Sequence, residues 1–185
     1  MSHHASRITF HGEMYKMAIL NIITYPDKFL TQVVKPVANI DGALQEIVED
    51  MIQTMYHAPG IGLAAIQVGV DQGIIVYDIS PKEPGQTLNV LINPKITHGE
   101  GSIVSEGEGC LSVPDFTSDV KRFEKIQVEG LDRHGKPVCL EADGMMAIML
   151  QHEIDHLNGK LFIDRVSQLK RELYKRRRLK QLKNE

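Results

Sequence analysis

The stretch QHEIDH at residues 151–156 decides what fold and chemistry this chain can have. His152 and His156 are four residues apart, so a helix places both imidazoles on one face, where they can bind one metal ion. Glu153 projects beside that face, where its carboxylate can take a proton from a water molecule on the ion. This is the HExxH pattern of metal-dependent hydrolases. The sequence therefore predicts a divalent metal ion held by a helix, with Glu153 as the proton carrier.

The helix that carries this motif is predicted to run from Gly144 to Leu157, after Asp143 and before Asn158-Gly159. Its first part, MMAIML, is apolar all round, which indicates a helix that is buried on most faces. The second part places two histidines and two carboxylates beside that apolar stretch. Because buried charges without partners are costly, a metal ion would satisfy this polar cluster.

The third ligand has to come from elsewhere, because catalytic zinc-type sites have three protein ligands and one open position. A third histidine at position 162 is excluded, since that residue is Phe162. Glu172 would be the ligand of a metalloprotease, but it lies inside a basic segment and is a poor candidate. Cys110 is a better one, because the small residues around it in GEGCLSVP let the backbone approach a ligand closely.

Two alternatives remain open for Cys110. It could be a buried structural cysteine, or a nucleophile activated by a histidine. A metal site explains the two histidines more economically, and a set of one thiolate and two imidazoles leaves a fourth position open for water. Cys139, which lies in a strand candidate, is predicted to be a buried structural cysteine.

The rest of the chain predicts an α+β fold. Apolar residues recur at helical spacing from Asp41, a plausible N-cap, to His57, and Pro59-Gly60 ends that helix. A last helix is predicted from about Asp164 to Leu182. The strand candidates between these helices are Gly73–Ile79, Leu88–Asn93, Lys125–Leu131 and Pro137–Leu140. We expect small mixed or antiparallel β-sheets around a central helix that carries HExxH, with an N-terminal and a C-terminal helix.

Length and composition predict one domain, since 185 residues with 42% hydrophobic side chains can bury one sizeable core. Residues 1–16 are polar and without periodicity, so we expect an N-terminal extension that is disordered, loosely attached or vector-derived. Residues 17–165 would form the catalytic domain and residues 166–185 a basic tail. The sequence contains no signal peptide and no membrane-spanning run, and its two cysteines suit a reducing cytoplasm.

Three segments together resemble the peptide deformylase family in its bacterial form. They are GIGLAAIQVG at residues 60–69, EGCLS at residues 108–112 and QHEIDHLNG at residues 151–159. The resemblance extends from about Met17 to Arg165. It implies an enzyme that removes the formyl group from the N-terminal N-formylmethionine of newly synthesised proteins and releases formate.

The resemblance also implies the roles of the site residues. Cys110, His152 and His156 would hold the ion, which is Fe²⁺ natively, with Zn²⁺, Ni²⁺ or Co²⁺ possible in purified protein. A metal-bound hydroxide would attack the formyl carbon, and Glu153 would act as general base and then acid. The remaining residues implied are two oxyanion donors, the side chain of Gln67 and the backbone N–H of Leu111, and a supporting ion pair, Glu108 with Arg122.

The nascent peptide is expected to bind through its backbone, because nascent chains differ after methionine. Exposed edges near Ile61–Gly62 and Gly109 would pair with it. The methionine side chain needs an apolar pocket, for which the candidates are Met145, Ile148 and Met149, together with Ile61. The alternative is that these side chains simply fill the core.

The basic tail predicts a polyanionic partner. Residues 165–185 contain nine Lys/Arg and two Asp/Glu, whereas the whole chain has a net charge of −3. The resemblance implies contact with the ribosome near the exit tunnel; the alternative is a solvated helix docked on the body. We expect a monomer that has no membrane contact. A nucleic-acid-binding module with a structural metal is a weaker alternative, because it would need four protein ligands.

Overall fold

The computed structural model describes residues 8–10, 13–15, 17–80 and 85–184, which form an α+β fold as predicted. The helices in those residues are α1 (Gly42–His57), α2 (Gly144–Leu157) and α3 (Gln168–Leu182). The strands there are β1 (Ile8–Phe10), β2 (Glu13–Tyr15), β3 (Gly62–Ala64), β4 (Ile74–Asp78), β5 (Leu88–Glu100), β6 (Ile103–Cys110), β7 (Val113–Arg122), β8 (Lys125–Leu131) and β9 (Pro137–Asp143).

The main sheet has five strands in the order β3-β4-β5-β8-β9, and every neighbouring pair is antiparallel. A second sheet consists of the antiparallel pair β6-β7, and a third of β1-β2. Strand β3 lies at one edge of the main sheet and β9 at the other. The expected antiparallel sheets are therefore present in the described part of the chain.

Helix α1 has the predicted bounds. The Asp41 side chain accepts a hydrogen bond from the Leu44 N–H, which caps the first turn. The helix ends at His57, just before Pro59-Gly60. Its apolar face, which includes Met51, packs against strands β3 and β4 in one core cluster.

Helix α2 also has the predicted bounds, but its burial is distributed differently. Ten of its residues are buried, and most of them lie in its second half. Leu150 and Ile154 pack against the main sheet. Met145, in the first turn, remains 64% exposed, and Ile148 is half-buried. The prediction that the apolar start of this helix is buried on most faces is therefore wrong for its first turn, because that turn faces an open cleft.

Strands β6 and β7 were not predicted from the sequence. Glycines and carboxylates interrupt the alternation of apolar and polar residues by which strands are predicted. The register between the two strands also shifts at Glu108. The prediction for Cys139 is wrong: the residue is exposed, since β9 is an edge strand and Cys139 lies on its solvent side.

The C-terminal helix α3 begins later than predicted. Phe162–Asp164 form a separate 3₁₀ turn, and Ser167 then caps α3 by accepting from the Lys170 N–H. Tyr174 is the one buried residue of α3 in the described part of the chain, and its ring lies 4.8 Å from that of Phe116.

The division into extension, catalytic domain and tail stays a prediction. Residues 1–7, 11, 12, 16, 81–84 and 185 lie outside the described residues, and these include most of the proposed extension. Within that extension, β1 and β2 pair with each other. None of the helices in the described residues is long and apolar enough to cross a membrane.

Candidate metal centre

Three predicted ligand atoms converge at the end of β6. The Cys110 Sγ lies 3.1 Å from the His156 Nε2, and the two Nε2 atoms of His156 and His152 are 3.3 Å apart. All three ligand atoms lie within 4.8 Å of one another. The structure thus brings Cys110 beside two histidines that are more than forty positions away in the chain, and the three residues form a group that could hold a metal ion.

The position of Cys110 follows from the tight β6–β7 hairpin. Cys110 pairs with Val113 in this sheet, so the two intervening residues form the turn, and the thiol of Cys110 lies next to His156 of α2. The carbonyl oxygen of Ser112 accepts a hydrogen bond from the Tyr25 N–H at 2.8 Å, which fixes the turn to the N-terminal segment. The thiol therefore arrives beside the two imidazoles on a rigid turn.

Neither position 162 nor Glu172, the two alternatives for a third ligand, provides a ligand atom to this cluster. Phe162 is buried and its ring lies 6.2 Å from that of His152, so it packs against the ligand instead of binding the ion. Glu172 lies on α3 and does not belong to the ligand group. A metalloprotease site with Glu172 as its third ligand is thus inconsistent with the fold.

A buried ion-pair network surrounds His152, one of the predicted ligands. The Glu108 Oε1 lies 2.7 Å from the His152 Nδ1, which leaves Nε2 facing the other ligands. Arg122 donates to both oxygens of Glu108, at 2.5 and 3.1 Å, so the predicted pair is present. Sequence analysis missed the other half of the network, in which Asp155 accepts from both Arg122 and Arg165.

The network keeps Glu108 ionised. Burial alone would raise the pKa of Glu108, but hydrogen bonds from His152 and Arg122 outweigh it and lower the pKa to about 2. For Arg122, burial would lower the pKa, yet Glu108 and Asp155 raise it. Glu108 is therefore a permanent carboxylate partner for the imidazole of His152.

The two histidines have opposite pKa shifts. Burial lowers the pKa of His156 well below its ordinary value, so its imidazole is neutral, as a ligand must be. Burial also acts to lower the pKa of His152, but its hydrogen bonds to Cys110 and Glu108 outweigh burial and raise that pKa. An ion at the Nε2 of His152 has to displace a proton, so metal affinity should fall on acidification.

Glu153 lies beside the cluster in a dry position. Its Oε2 atom is buried and has no hydrogen-bond partner among the described residues. Burial raises the pKa of its carboxyl to about 7. A Cβ atom at Gly62 would lie 2.7 Å from the Glu153 Oε1, so any larger residue at position 62 would displace this carboxyl from its present position. A carboxyl with that pKa can both accept and return a proton near neutral pH.

The side-chain amide of Gln67 is held by two partners. Its Oε1 accepts from the Ala64 N–H at 2.8 Å, and its Nε2 donates to the Ser112 Oγ at 3.1 Å. The same Nε2 lies 3.6 Å from the Cys110 Sγ, so it faces the ligand cluster. Leu111, the second predicted donor, directly follows Cys110. The arrangement can therefore present fixed N–H donors beside a metal ion.

The chain is similar in sequence to known proteins over most of its length. A family model for polypeptide deformylase matches residues 19–172. The chain is 52% identical over 167 residues to the peptide deformylase of Desulfosudis oleivorans, a match that covers 90% of this chain and 96% of that protein. The peptide deformylase of Thermodesulfovibrio yellowstonii is 55% identical over 161 residues, or 87% of this chain and 97% of that protein. The chain belongs to the peptide deformylase family.

Solved deformylase structures share the fold. A crystal structure from Legionella pneumophila has a TM-score of 0.84 and 44% identity, and the match covers 90% of this chain and 98% of that one. A structure from Synechococcus elongatus in complex with actinonin has a TM-score of 0.79 and 44% identity, with coverage of 82% and 83%. The family is metal-dependent and removes N-formyl groups from nascent peptides, so the predicted enzyme class is confirmed.

In this deformylase chain a cavity of about 640 Å³ opens above the cluster. Cys110, His152 and Glu153 lie in its wall, together with Gln67 and Leu111. The cavity also brings together the residues predicted to bind the peptide, although Met145 is an exposed residue at its edge and Met149 is buried. Those lining residues are Ile61, Gly62, Gly109, Met145, Ile148 and Met149.

Proposed function

We propose that this chain is a metal-dependent hydrolase of the bacterial cytoplasm that removes the formyl group from the N-formylmethionine of newly synthesised proteins and releases formate. The observation that carries the proposal is the convergence of the Cys110 Sγ with the Nε2 atoms of His152 and His156. Cys110, His152 and Glu153 lie in the wall of the cavity, and His156 is buried directly behind them. A chain of this family with that donor set is built to hydrolyse a small amide.

The donor set fits the ion that the family requires. One thiolate and two neutral imidazoles suit Fe²⁺, Zn²⁺, Ni²⁺ or Co²⁺, and three ligands leave a position open. The carboxylate of Glu108 on the Nδ1 of His152 is the outer partner that such a ligand normally has. When bound, the ion supplies Lewis-acid chemistry, which lowers the pKa of water and polarises a carbonyl group.

Glu153 carries the proton in this proposal. Its unpartnered Oε2 accepts the proton of the attacking water and delivers it to the amine that departs from the formyl carbon. The pKa of about 7, raised by burial, places this carboxyl near the optimum for both transfers. The side-chain Nε2 of Gln67 and the backbone N–H of Leu111 would donate to the oxygen on which negative charge develops.

The peptide is proposed to bind along the edge of the main sheet. Strand β3 has a neighbour on one side only among the described residues, so the Ile61–Gly62 backbone can pair with an extended peptide, with Gly109 across the cavity. The methionine side chain would enter between Met149 and Ile148, with Met145 at the mouth. Flexible thioethers adapt to such a guest.

The decisive experiment combines anaerobic metal analysis with formate release from formyl-Met-Ala-Ser. We expect the protein to release formate with a bound ion, and Glu153→Ala to keep the ion but lose the activity. Glu141→Ala, which removes an exposed carboxylate on β9, is the matched control and should behave like the parent. The proposal fails if no metal form releases formate. Loss of metal in Glu153→Ala would instead make Glu153 a ligand.

The ribosome is proposed as the partner of α3. The cations of this helix are mostly exposed, as are Leu169 and Leu173, so the surface can contact RNA phosphates near the exit tunnel. Changing the exposed cations Lys175, Arg176 and Lys180 to Gln should weaken ribosome binding and its salt dependence, while formate release from a free peptide is unchanged because Tyr174 and its contacts remain. Unchanged ribosome affinity and salt dependence would remove this part of the proposal. We propose that the protein acts as a monomer.

A further inference from the structure

Asp155 lies inside the HExxH motif at a position that the motif leaves open, and the proposed mechanism gives it no role. Its carboxylate is largely buried and accepts three hydrogen bonds from two arginines. Arg122 donates from Nη1 at 2.5 Å, and Arg165 donates from Nε and Nη2, both at 2.6 Å. One carboxylate on the metal-binding helix thus joins two arginines from outside it.

Arg122 transmits the position of Asp155 to the ligand His152. The side chain of Arg122 is fully buried, and its remaining donors go to the two oxygens of Glu108. The same Glu108 Oε1 lies 2.7 Å from the His152 Nδ1. Because a guanidinium group is planar and rigid, a shift of the side that contacts Asp155 rotates the side that holds Glu108.

When His152 is neutral, as a metal ligand is, the charges of the network are balanced only if Arg165 is included. Glu108 and Asp155 carry two negative charges around the single positive charge of Arg122, and the fork of Arg165 on Asp155 supplies the second positive charge. An amide at position 155 would leave a buried arginine with one charged partner instead of two. Arg122 would then move toward Glu108 and change the hydrogen bond between Glu108 and His152.

We propose that Asp155 and Arg165 are positioning residues that orient the metal ligand His152 through Arg122 and Glu108. The inference rests on the proposed metal centre and deepens it. Arg165 directly follows the 3₁₀ turn at Phe162–Asp164, so the same pair fastens that turn to α2. The alternative is an ion pair that stabilises the fold and leaves the ligand geometry unaffected.

The test uses the Co²⁺-substituted protein, because the visible spectrum of Co²⁺ reports ligand geometry. We expect Asp155→Asn to weaken Co²⁺ binding, measured by competition with a chelator, by about 10- to 100-fold and to change the spectrum of the bound ion. Arg165→Met should weaken binding less, and Arg165→Lys, which keeps the charge without the fork, less still. Asp71→Asn, which breaks the remote ion pair with Lys35, is the control and should change neither quantity.

The pathway is tested by combining variants. If Asp155 acts through Glu108, the loss of affinity in Asp155→Asn with Glu108→Gln should be smaller than the product of the two single losses. Independent, multiplicative losses would contradict the pathway.

The outcomes separate the inference from the proposed function. A parent protein that binds no Co²⁺ would overturn the metal centre itself. A parent that binds Co²⁺, together with an Asp155→Asn variant of equal affinity and spectrum but lower thermal stability, would show a purely structural ion pair and overturn the inference. If Asp155→Asn does not fold, Arg165→Met decides, since the Arg165 side chain is partly exposed: unchanged affinity and spectrum in that variant overturn the inference as well.

Discussion

Helices α2 and α3 have nearly the same length, 14 and 15 residues, but they meet opposite environments. Ten residues of α2 are buried, among them two histidines and two carboxylates, whereas α3 buries Tyr174 alone in the described part of the chain. Two of these side chains have partners on distant strands: Asp155 contacts Arg122, and His152 contacts Glu108. The cations of α3 mostly face solvent.

The comparison shows that a charged side chain constrains the fold where it is buried and has little influence on it where it is exposed. A charge in α2 is stable only because a partner is held at hydrogen-bond distance, so each member of the network depends on the others. An exposed charge in α3, such as that of Arg176, is solvated by water and contributes little to folding. We therefore expect a substitution to change the free energy of unfolding more where it affects the buried network of α2 than on the exposed face of α3. The predictions below test this difference, from the largest expected effect to the smallest.

The largest effect is expected for Arg122→Ala. This change leaves Glu108 and Asp155 buried with one partner fewer, and breaking a buried ion pair on one side costs about 3–5 kcal/mol of unfolding free energy. The variant should also lose its metal ion during dialysis. Urea unfolding and metal analysis measure the two effects, with Lys35→Ala, which removes an exposed partner of Asp71, as the control. An Arg122→Ala protein that retains both metal and activity would remove the supporting role of the pair.

The second effect concerns the buried carboxyl of Glu153 in the metal-free protein. Burial raises its pKa to about 7 from an ordinary value of 4.5, so folding favours the protonated form. The contribution of this carboxyl to the free energy of unfolding is fully present below pH 4.5. It is lost as the pH rises toward about 7, which is the pKa in the folded protein. In Glu153→Gln the group cannot ionise. Relative to the parent, the variant should therefore gain ~2–3 kcal/mol between about pH 5 and about pH 8.

Urea unfolding in the presence of a chelator, at both pH values, checks this prediction. The matched variant is Glu141→Gln, which changes an exposed carboxyl and should show no such gain. A difference between Glu153→Gln and the parent that is the same at both pH values would mean that Glu153 is not the group that titrates.

The site residues show how much of the site could be predicted from the sequence. Glu153 and the histidine pair were found because spacing along one helix is local information. Local spacing could not place Cys110, because its approach to α2 depends on how β6 and β7 pair, and that pairing was not predicted. The contacts of Asp155 could not be found at all, because Arg122 is 33 positions away and Arg165 is on another turn, and no local pattern marks either as a partner.

The burial of the first turn of α2 was misjudged for a related reason. Its apolar side chains have the composition of a core helix, but Met145 lines a cleft that is open to solvent. An apolar stretch that lines a cleft has the same sequence pattern as one that packs inside the protein. Only the shape of the surrounding strands distinguishes them.

A smaller effect is expected where α3 touches the body. Tyr174 packs against Phe116 and donates its hydroxyl hydrogen to the Pro114 carbonyl oxygen at 3.2 Å. Tyr174→Phe keeps the ring and loses one hydrogen bond, so it should cost about 1 kcal/mol of unfolding free energy. Tyr174→Ala should cost about 3 kcal/mol or more, because a cavity replaces the ring. Equal stability of all three proteins in urea would show that α3 is not docked through Tyr174.

The smallest effect is expected for Arg176→Gln, which changes an exposed cation of α3. A solvated side chain of this kind should change the unfolding free energy by less than about 0.5 kcal/mol, and formate release from a free peptide should stay the same. Ribosome affinity is the quantity that should respond, because a helix that neutralises fewer phosphates has a shallower salt dependence. If Arg176→Gln instead lowers stability as much as Tyr174→Phe does, then an exposed charge of α3 contributes to folding as the buried charges of α2 do, and the contrast between the two helices fails.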